Sequence, residues 1–427
     1  MRGVRVLIAV ASAATLLAAG CGGQPRGGAT GGPAGTSSAA PASPSATATT
    51  PGTAPPATSS PVPAPATQGT RGSTGAPTAV AANACVDTTL ARLSPERRAA
   101  QVLLVGVSAT SPASDAGALV AIGVGGIFLH GRVAGGPSVQ DALGTVQRTA
   151  RRAGTLPVFV AADEEGGAVQ TVTGGTIPPF PSARVQGTWL TSALRSRTAR
   201  WGAELARLGV NLDLAPVADT VPVALGTANP PIGRYGREYG TTPAAVSRAV
   251  AVVVPALAGV RVGSTVKHFP GLGRVLANTD TSADAVDATT TATDPYLRPF
   301  SAGMQAGALA VMVSSARYPR LDARNPAMWS SAVVTGLLRG RLGWHGLVVS
   351  DDLGLAVAAR SRPVGARAVS FLGAGGDLVL TVQPGQAATM RAAILAQAAA
   401  RTSWRSRLDD AVRHVLAAKQ ALGLLSC

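Results

Sequence analysis

Residues 346–353 read Gly346-Leu347-Val348-Val349-Ser350-Asp351-Asp352-Leu353, a short apolar run that ends on two adjacent carboxylates. A run of this length, with glycine before it and polar residues after it, is typical of a buried parallel strand. Seven further runs rich in Val, Leu and Ile occur along the chain, at residues 102–107, 125–129, 158–162, 210–216, 264–267, 308–313 and 377–382. The sequence therefore predicts eight buried strands.

Longer amphipathic segments separate these runs and predict helices at residues 139–153, 193–208, 243–258, 330–342 and 388–399. Strands that alternate with helices indicate an α/β fold, and eight of them favour a closed (β/α)₈ TIM barrel. A doubly wound open sheet is the alternative. No Gly-x-Gly-x-x-Gly motif follows the first predicted strand, which disfavours the dinucleotide-binding form of that alternative.

Polar side chains cluster where the predicted strands end, which is where barrel enzymes carry their active sites. Asp163-Glu164-Glu165-Gly166-Gly167 follows the third strand, and Lys267-His268 ends the fifth. Three carboxylates in a row repel one another, so we expect one of them to accept hydrogen bonds from substrate hydroxyls; a solvated turn is the alternative. Asp351 and Asp352 end the seventh strand, and hydrolysis of an acetal requires carboxylates in such a place.

These segments together resemble glycoside hydrolase family 3, in its short single-barrel β-N-acetylhexosaminidase branch. The resemblance covers nearly the whole predicted domain, and five motifs occur in the family's order: residues 123–127, 163–167, 214–219, 267–271 and 350–353. Residues 338–346 also resemble the stretch that precedes the family's nucleophile. Each motif alone is weak, whereas five in the right order are specific.

The resemblance implies a role for each matching position. It makes Asp351 the nucleophile, which forms a covalent glycosyl-enzyme and retains the anomeric configuration. Asp163 corresponds to the acid that binds sugar hydroxyls, and Lys267 and His268 correspond to the pair that holds the sugar. Arg237 corresponds to the substrate-binding arginine when three residues are inserted after Gly233.

The chain departs from the family at two places. In the hexosaminidase branch, the loop after the Lys-His motif carries a second histidine in its Pro-Gly turn and a later histidine that serves as acid/base. Here these positions are Leu272 and Asp280. A carboxylic acid can donate the proton when its pKa is raised, so we expect Asp280 to be the acid/base, with Asp284 as second candidate. Thr171 stands where the family usually has a substrate-binding arginine.

The N-terminal residues resemble a bacterial lipoprotein signal. Arg2 and Arg5 precede an uncharged apolar stretch at residues 6–19, which is too short for a comfortable membrane span. Small residues then precede Cys21, as in a lipobox, although the usual leucine is displaced by one position. We expect residues 1–20 to be a signal peptide, Cys21 to be lipidated and the protein to be anchored outside the cytoplasm; an ordinary cleaved signal is the alternative.

Residues 21–82 consist mostly of Ala, Pro, Ser, Thr and Gly. Such a segment cannot bury enough apolar surface to offset its ordering entropy, so it is predicted to be a disordered linker. Residues 83–427 then form the catalytic barrel. Cys85 and Cys427 lie near the two ends of that domain, and an exported protein favours a disulfide between them over two free thiols.

The net charge of +16 comes from basic residues that are scattered along the chain. Because they form no stripe with interleaved aromatic residues, we expect no nucleic-acid partner. Histidine and cysteine spacing predicts no metal site, and no cofactor is expected. We expect a monomer that removes terminal β-linked N-acetylglucosamine from cell-wall fragments. The alternatives are a β-glucosidase of the same family and a weakly active glycan-binding lipoprotein.

Overall fold

The computed structural model describes residues 83–426. The predicted signal peptide, the linker, Cys21 and Cys427 lie outside the described residues. Cys85 takes part in a disulfide bond, and its pairing with Cys427 stays a prediction. Among residues 83–426, no helix combines the length and the apolar character that a membrane span requires.

Eight parallel strands form one sheet in the order β7-β6-β5-β4-β3-β2-β1-β8. They are β1 Leu103–Ser108, β2 Gly126–His130, β3 Phe159–Ala162, β4 Leu212–Asp213, β5 Gly263–Phe269, β6 Ala310–Val313, β7 Leu347–Ser350 and β8 Val379–Thr381. A parallel bridge between Val349 of β7 and Leu378, just before β8, joins the two ends of the sheet. The predicted TIM barrel is therefore confirmed.

The α-helices are α1 Ala84–Arg92, α2 Pro95–Gln101, α3 Pro112–Ile122, α4 Pro137–Arg152, α5 Ala183–Gln186, α6 Thr191–Leu208, α7 Pro243–Ala258, α8 Arg298–Gln305, α9 Val364–Gly373, α10 Ala387–Ala400 and α11 Thr402–Ala421. Helix α7 begins where predicted, because the Thr242 side chain accepts a hydrogen bond from the Ala245 N–H and Pro243 occupies the first turn. The helix predicted at residues 330–342 is a π-helix, Ala332–Arg341.

Strand β4 is shorter than the predicted run at residues 210–216. Regular pairing ends at Asp213, although the carbonyls of Ala215 and Pro216 still accept from the Thr265 and Lys267 N–H groups of β5 at 2.8 and 3.2 Å; Pro216 has no N–H to donate in return. Beyond this point the chain stays beside β5 through a parallel bridge between Val217 and Lys267. The irregular stretch carries the chain past the C-terminal end of β4, toward the mouth of the barrel.

The N-terminal end of the barrel is closed by α11, whose Val415 and Ala418 join the apolar side chains of the barrel interior. Lys419 follows them and is fully buried. Its Nζ donates to Gln101 Oε1 at 2.7 Å and lies 5.4 Å from the centre of the Phe159 ring. Burial disfavours the charged ammonium and lowers the pKa of Lys419 to about 7.

Asp377 joins the last two strands to the surrounding helices at the same end of the barrel. Its fully buried carboxylate accepts from the Val348 N–H of β7 at 2.9 Å and from Arg339 of the π-helix at 2.6 Å. Arg407 and His414 of α11 lie 3.1 and 3.2 Å from its other oxygen. Burial opposes ionisation, but His414 and the two arginines outweigh it and lower the pKa of Asp377 to about 2.

Candidate active site

A cleft of about 340 Å³ opens at the C-terminal ends of the strands. Its polar side chains come from the loops after β3, β4, β5 and β7 and from the end of strand β5 itself. All six residues that the sequence assigned to catalysis or substrate binding line it: Asp163, Arg237, Lys267, His268, Asp280 and Asp351. The structure therefore brings together groups that lie up to 188 positions apart in the chain.

Lys267 lies on the cleft floor between two carboxylates. Its Nζ is 2.5 Å from Asp163 Oδ1 and 2.7 Å from Glu165 Oε1. The Lys267 and Glu165 side chains are buried, whereas 29% of the Asp163 side chain is exposed. Asp163 thus keeps part of its carboxylate available to a ligand, while Lys267 fixes its direction.

Glu165 also holds Arg237 in a bidentate ion pair, with Nε to Oε2 at 2.8 Å and Nη2 to Oε1 at 2.7 Å. Burial disfavours the charged carboxylate, but Arg237 and Lys267 outweigh it and lower the pKa of Glu165 to about 2. Glu165 therefore orients both cations from beneath the cleft. Of these three acids, only Asp163 was predicted to have a site role, and Glu165 was missed; the run of acids at residues 163–165 was the signal available.

Asp219 fixes the orientation of His268. Its Oδ2 lies 2.7 Å from His268 Nδ1, and Oδ1 accepts from the Leu272 N–H at 2.7 Å. An ionised carboxylate requires a donor, so we assign the proton to Nδ1. This assignment leaves Nε2 as an acceptor, and it lies 3.4 Å from Arg237 Nη2. Asp219 belongs to the motif at residues 214–219, but the sequence analysis gave it no role.

Asp351 directly follows β7 and lines the cleft, and its carboxylate has few hydrogen-bond partners among the described residues. Its Oδ1 accepts from the Asp352 N–H at 2.9 Å. Burial raises the pKa of Asp351 to about 6, and the charge of Asp280 adds to the shift. A carboxylate that has lost solvation without gaining strong hydrogen bonds is a reactive nucleophile or base near neutral pH.

Asp352 has a different environment from its neighbour. Its two oxygens accept from the backbone N–H groups of Gly354, Leu355, Ala356 and Val382 at 2.7–3.3 Å. These bonds use the lone pairs of the carboxylate to hold the loop after β7. Asp352 is therefore a structural acid, although its carboxylate borders the cleft.

Asp280 faces the same cleft from the loop after β5. It is exposed, and its N–H donates to Asn278 Oδ1 at 3.0 Å. Its carboxylate makes no hydrogen bond or ion pair to the other residues that the structure describes, so it is available to a ligand. Asp284, the second candidate, is exposed but lies outside the residues that line the cleft.

Two further acids lie beneath the site. Asp213 is fully buried, and its Oδ1 accepts from the Glu164 N–H at 3.2 Å. Glu164 Oε1 accepts from the Val172 N–H at 2.7 Å. Burial raises the pKa of both carboxyls well above their usual range. Thr171 is buried beside them, with its N–H bonded to the Asp163 carbonyl, and it does not line the cleft.

No group of three or more His, Cys, Asp or Glu side chains within residues 83–426 is arranged to hold a metal ion. The groups in the cleft are instead two separate carboxylates, Asp351 and Asp280, beside a charged and hydrogen-bonding floor. Such a set can stabilise positive charge at a carbon, attack it and transfer protons to and from oxygen.

Known proteins are similar to this chain in both sequence and fold. Residues 96–418 match the family described as glycosyl hydrolase family 3 N terminal domain. A β-hexosaminidase of Xanthomonas oryzae pv. oryzae (strain KACC10331 / KXO85) is 34% identical over 299 residues, which cover 66% of this chain and 84% of that protein.

Two solved structures extend the comparison. The β-N-acetylhexosaminidase of Beutenbergia cavernae DSM 12333 is 38% identical with a TM-score of 0.74, covering 77% of this chain and 99% of that one. A family 3 β-N-acetylglucosaminidase of Paenibacillus sp. str. FPU-7 is 27% identical with a TM-score of 0.70, covering 78% of this chain and 64% of that one. The chain therefore belongs to glycoside hydrolase family 3 and is a glycosidase.

Proposed function

We propose that the protein is a retaining β-N-acetylhexosaminidase that removes terminal β-linked N-acetylglucosamine from cell-wall fragments. The observation that carries the proposal is the placement of Asp351, a weakly hydrogen-bonded carboxylate that faces a cleft containing a second free acid. The similarity to hexosaminidases of two bacteria and to a β-N-acetylglucosaminidase supports the choice of sugar.

In the first step, an Asp351 oxygen attacks the anomeric carbon and the bond from that carbon to the leaving oxygen breaks. Asp280 gives its proton to the leaving oxygen, which departs as an alcohol. In the second step, water attacks the same carbon and gives a proton to Asp280, and the carbon–oxygen bond to Asp351 breaks. Two displacements at one carbon retain its configuration.

The floor of the cleft binds the sugar in this proposal. Asp163 accepts hydrogen bonds from sugar hydroxyls through its exposed oxygen, and Lys267 and Arg237 donate to hydroxyl oxygens. Glu165 and Asp219 hold these groups in place before the sugar arrives, so binding orders few side chains. His268 offers Nε2 to a hydroxyl donor.

The cell-wall substrate and the membrane location belong to the same proposal. They are supported by the basic start at Arg2 and Arg5, the apolar residues 6–19 and the lipobox-like approach to Cys21. A lipid on Cys21 and an extended linker at residues 22–82 would hold the barrel at the outer face of the membrane, within reach of wall glycans.

The test is hydrolysis of 4-nitrophenyl N-acetyl-β-glucosaminide by the wild type and by Asp351→Ala, Asp280→Ala and Asp284→Ala. We expect Asp351→Ala to lose on the order of 10⁴-fold or more in kcat, because the nucleophile is gone. Asp280→Ala should lose activity that azide partly restores, because azide attacks the glycosyl-enzyme without needing a base. Asp284→Ala, an exposed acid outside the cleft, is the matched control and should behave like the wild type.

A fully active Asp351→Ala enzyme would refute the proposed mechanism. The corresponding β-glucoside, assayed in parallel, decides the sugar: a higher kcat/KM on the glucoside would establish the β-glucosidase alternative. Folded wild-type protein that binds wall glycans but hydrolyses neither substrate would establish the glycan-binding alternative.

A further inference from the structure

The loop that carries Asp280 is bonded to the loop that follows the nucleophile. We call residues 278–281 the acid loop and residues 351–358 the nucleophile loop. The Val357 N–H donates to the Asp280 carbonyl at 3.2 Å, and the Ala358 N–H donates to the Thr279 carbonyl at 3.1 Å. Two adjacent residues of the nucleophile loop thus make backbone hydrogen bonds to two adjacent residues of the acid loop.

The nucleophile loop is itself held from both sides. Asp352 accepts from four backbone N–H groups, three of them in the loop. Arg367 of α9 donates through Nη1 to the carbonyls of Leu353 at 2.8 Å and Gly354 at 2.9 Å. Arg367 is buried and makes no ion pair with another described residue; its guanidinium donates to backbone carbonyls, the two in this loop and, through Nε, that of Arg362 at 2.8 Å.

The acid loop has less support of its own. Asn278 caps it locally by accepting from the Asp280 N–H, and the Thr281 N–H returns to the Asn278 carbonyl. These bonds shape the turn, but they do not fix the distance from Asp280 to Asp351. The carboxylate of Asp280 has no partner among the described residues that would fix it either.

We propose that the nucleophile loop is a positioning element that holds Asp280 at its working distance from Asp351, through the backbone bonds at Val357 and Ala358. This inference rests on the proposed role of Asp280 as acid/base. The nucleophile and the proton donor then move as one unit, anchored by Asp352 and Arg367. A proton donor must lie within hydrogen-bond reach of the leaving oxygen, and a misplacement of about 1 Å can cost ~10²-fold in rate.

Val357→Pro removes one of these bonds and places the ring Cδ where the N–H pointed, so it also pushes the Asp280 carbonyl away from the nucleophile loop. Val357 begins a short 3₁₀ turn, Val357–Ala359, and Ala356 before it has φ −52° and ψ 126°. Proline suits the first position of a helical turn, and it tolerates an extended residue before it. Val357→Ala is the matched control, because it trims the same side chain and keeps the N–H.

The measurement is kcat/KM on phenyl N-acetyl-β-glucosaminide, whose leaving group needs a proton, and on the 2,4-dinitrophenyl glycoside, whose leaving group does not. We expect Val357→Pro to lose on the order of 10- to 100-fold on the phenyl substrate and far less on the dinitrophenyl substrate. Val357→Ala should keep the wild-type ratio of the two rates. Arg367→Met, which loosens the same loop from its carbonyl side, should shift the ratio in the same direction.

Asp280→Ala, measured beside them, separates the inference from its premise. If Asp280→Ala discriminates between the substrates while Val357→Pro and Arg367→Met keep the wild-type ratio, or lose equal activity on both, the positioning role is wrong and the acid stands. If Asp280→Ala does not discriminate either, the proposed acid/base is wrong and the positioning role falls with it. Circular dichroism melts establish that each variant is folded.

Discussion

The two ends of the barrel shift the pKa of a buried carboxylate in opposite directions. At the N-terminal end, Asp377 is surrounded by two arginines, a histidine and a backbone N–H, and its pKa falls to about 2. At the C-terminal end, Asp351 receives one backbone N–H from the residues that the structure describes, and its pKa rises to about 6. Asp377 precedes β8 and Asp351 follows β7, so both lie at the end of a strand. The difference between their pKa values therefore comes from their hydrogen-bond and charge partners.

The same contrast exists within the active site. Glu165, which is buried beneath the cleft, has two cations and a pKa of about 2, whereas Asp351 has no cation in contact among residues 83–426 and is only partly solvated. Carboxylates whose charge is compensated hold the structure together. The carboxylate whose charge is left uncompensated is the one placed to react, and stability is lost there in exchange for reactivity.

Asp377→Asn should produce the largest loss of stability. It leaves Arg339 and Arg407 without their anion at the junction of β7 and β8, and removing one partner of a buried ion pair costs about 3–5 kcal/mol. Because the folded pKa of Asp377 is depressed, its contribution is present above pH ~4 and is lost as the pH falls toward 2. Urea unfolding at pH 7 and at pH 3 measures both effects.

Asp410→Asn is the control for this change. Asp410 also pairs with Arg407, but its side chain is 56% exposed, so the substitution should change the free energy of unfolding by less than about 0.5 kcal/mol. Equal losses for the two variants would show that the partners of Asp377 contribute no more than a surface pair.

Lys419→Met tests the buried ammonium at the N-terminal end. The folded pKa of Lys419 is about 7 and lies below its unfolded value, so its contribution to stability is lost as the pH falls from about 10 to 7. Over this range the wild type should lose about 1.4 kcal/mol per pH unit relative to Lys419→Met. Urea unfolding at pH 7, 8.5 and 10 measures the gap, and a gap independent of pH would contradict the prediction.

Asp351→Asn should stabilise the fold while it abolishes turnover. The folded pKa of Asp351 is raised, so the stability present at low pH is lost as the pH rises through about 6. Removing the charge should therefore raise the free energy of unfolding at pH 8 by about 1–3 kcal/mol, and the gain should vanish near pH 4.

Asp352→Asn makes the comparison sharper, because it changes the adjacent acid. The Asp352 carboxylate accepts four backbone N–H bonds, and a neutral amide with one oxygen is a weaker acceptor. The substitution should therefore destabilise the protein by about 1–3 kcal/mol at pH 8. Thermal melts of the two variants should move in opposite directions. If both melting temperatures fall, Asp351 carries no electrostatic cost.

The pH–rate profile gives the smallest effect. Asp351 must be ionised to attack, so kcat/KM should fall by about tenfold per pH unit below a pH of about 6. Asp284→Ala should show the same fall of kcat/KM below a pH of about 6. An acidic limb near pH 4 would place Asp351 among the ordinary carboxylates of the protein.

Much of the barrel could be predicted from the sequence, because a buried parallel strand is apolar on both faces and stands out as a continuous run. The predicted strand at residues 158–162 differs from β3, Phe159–Ala162, by one residue. Strand β4 was predicted too long, since apolar composition continues through Pro216 whereas regular pairing ends at Asp213. The type of the helix at Ala332–Arg341 depends on its tertiary contacts and has no local signature.

The site could be predicted only in part. The motif order located the groups that line the cleft, and all six of them meet there. Glu165, Asp219 and Arg367 were missed because they act through other residues, and nothing local shows which side chain a buried acid or arginine will contact. The different environments of Asp351 and Asp352 likewise depend on backbone N–H groups that only the folded loop brings together.

The chain contains two lysines, and neither offers its amine to solvent: Lys267 is 2% exposed and Lys419 is fully buried. They lie at opposite ends of the barrel, Lys267 beneath the cleft and Lys419 on the closing helix α11. An amine-directed reagent therefore finds no lysine on the native surface. Acylation of Lys267 would report local unfolding at the C-terminal end of the barrel, and acylation of Lys419 would report local unfolding at the N-terminal end. Mass spectrometry of peptides cleaved at arginine would distinguish the two events.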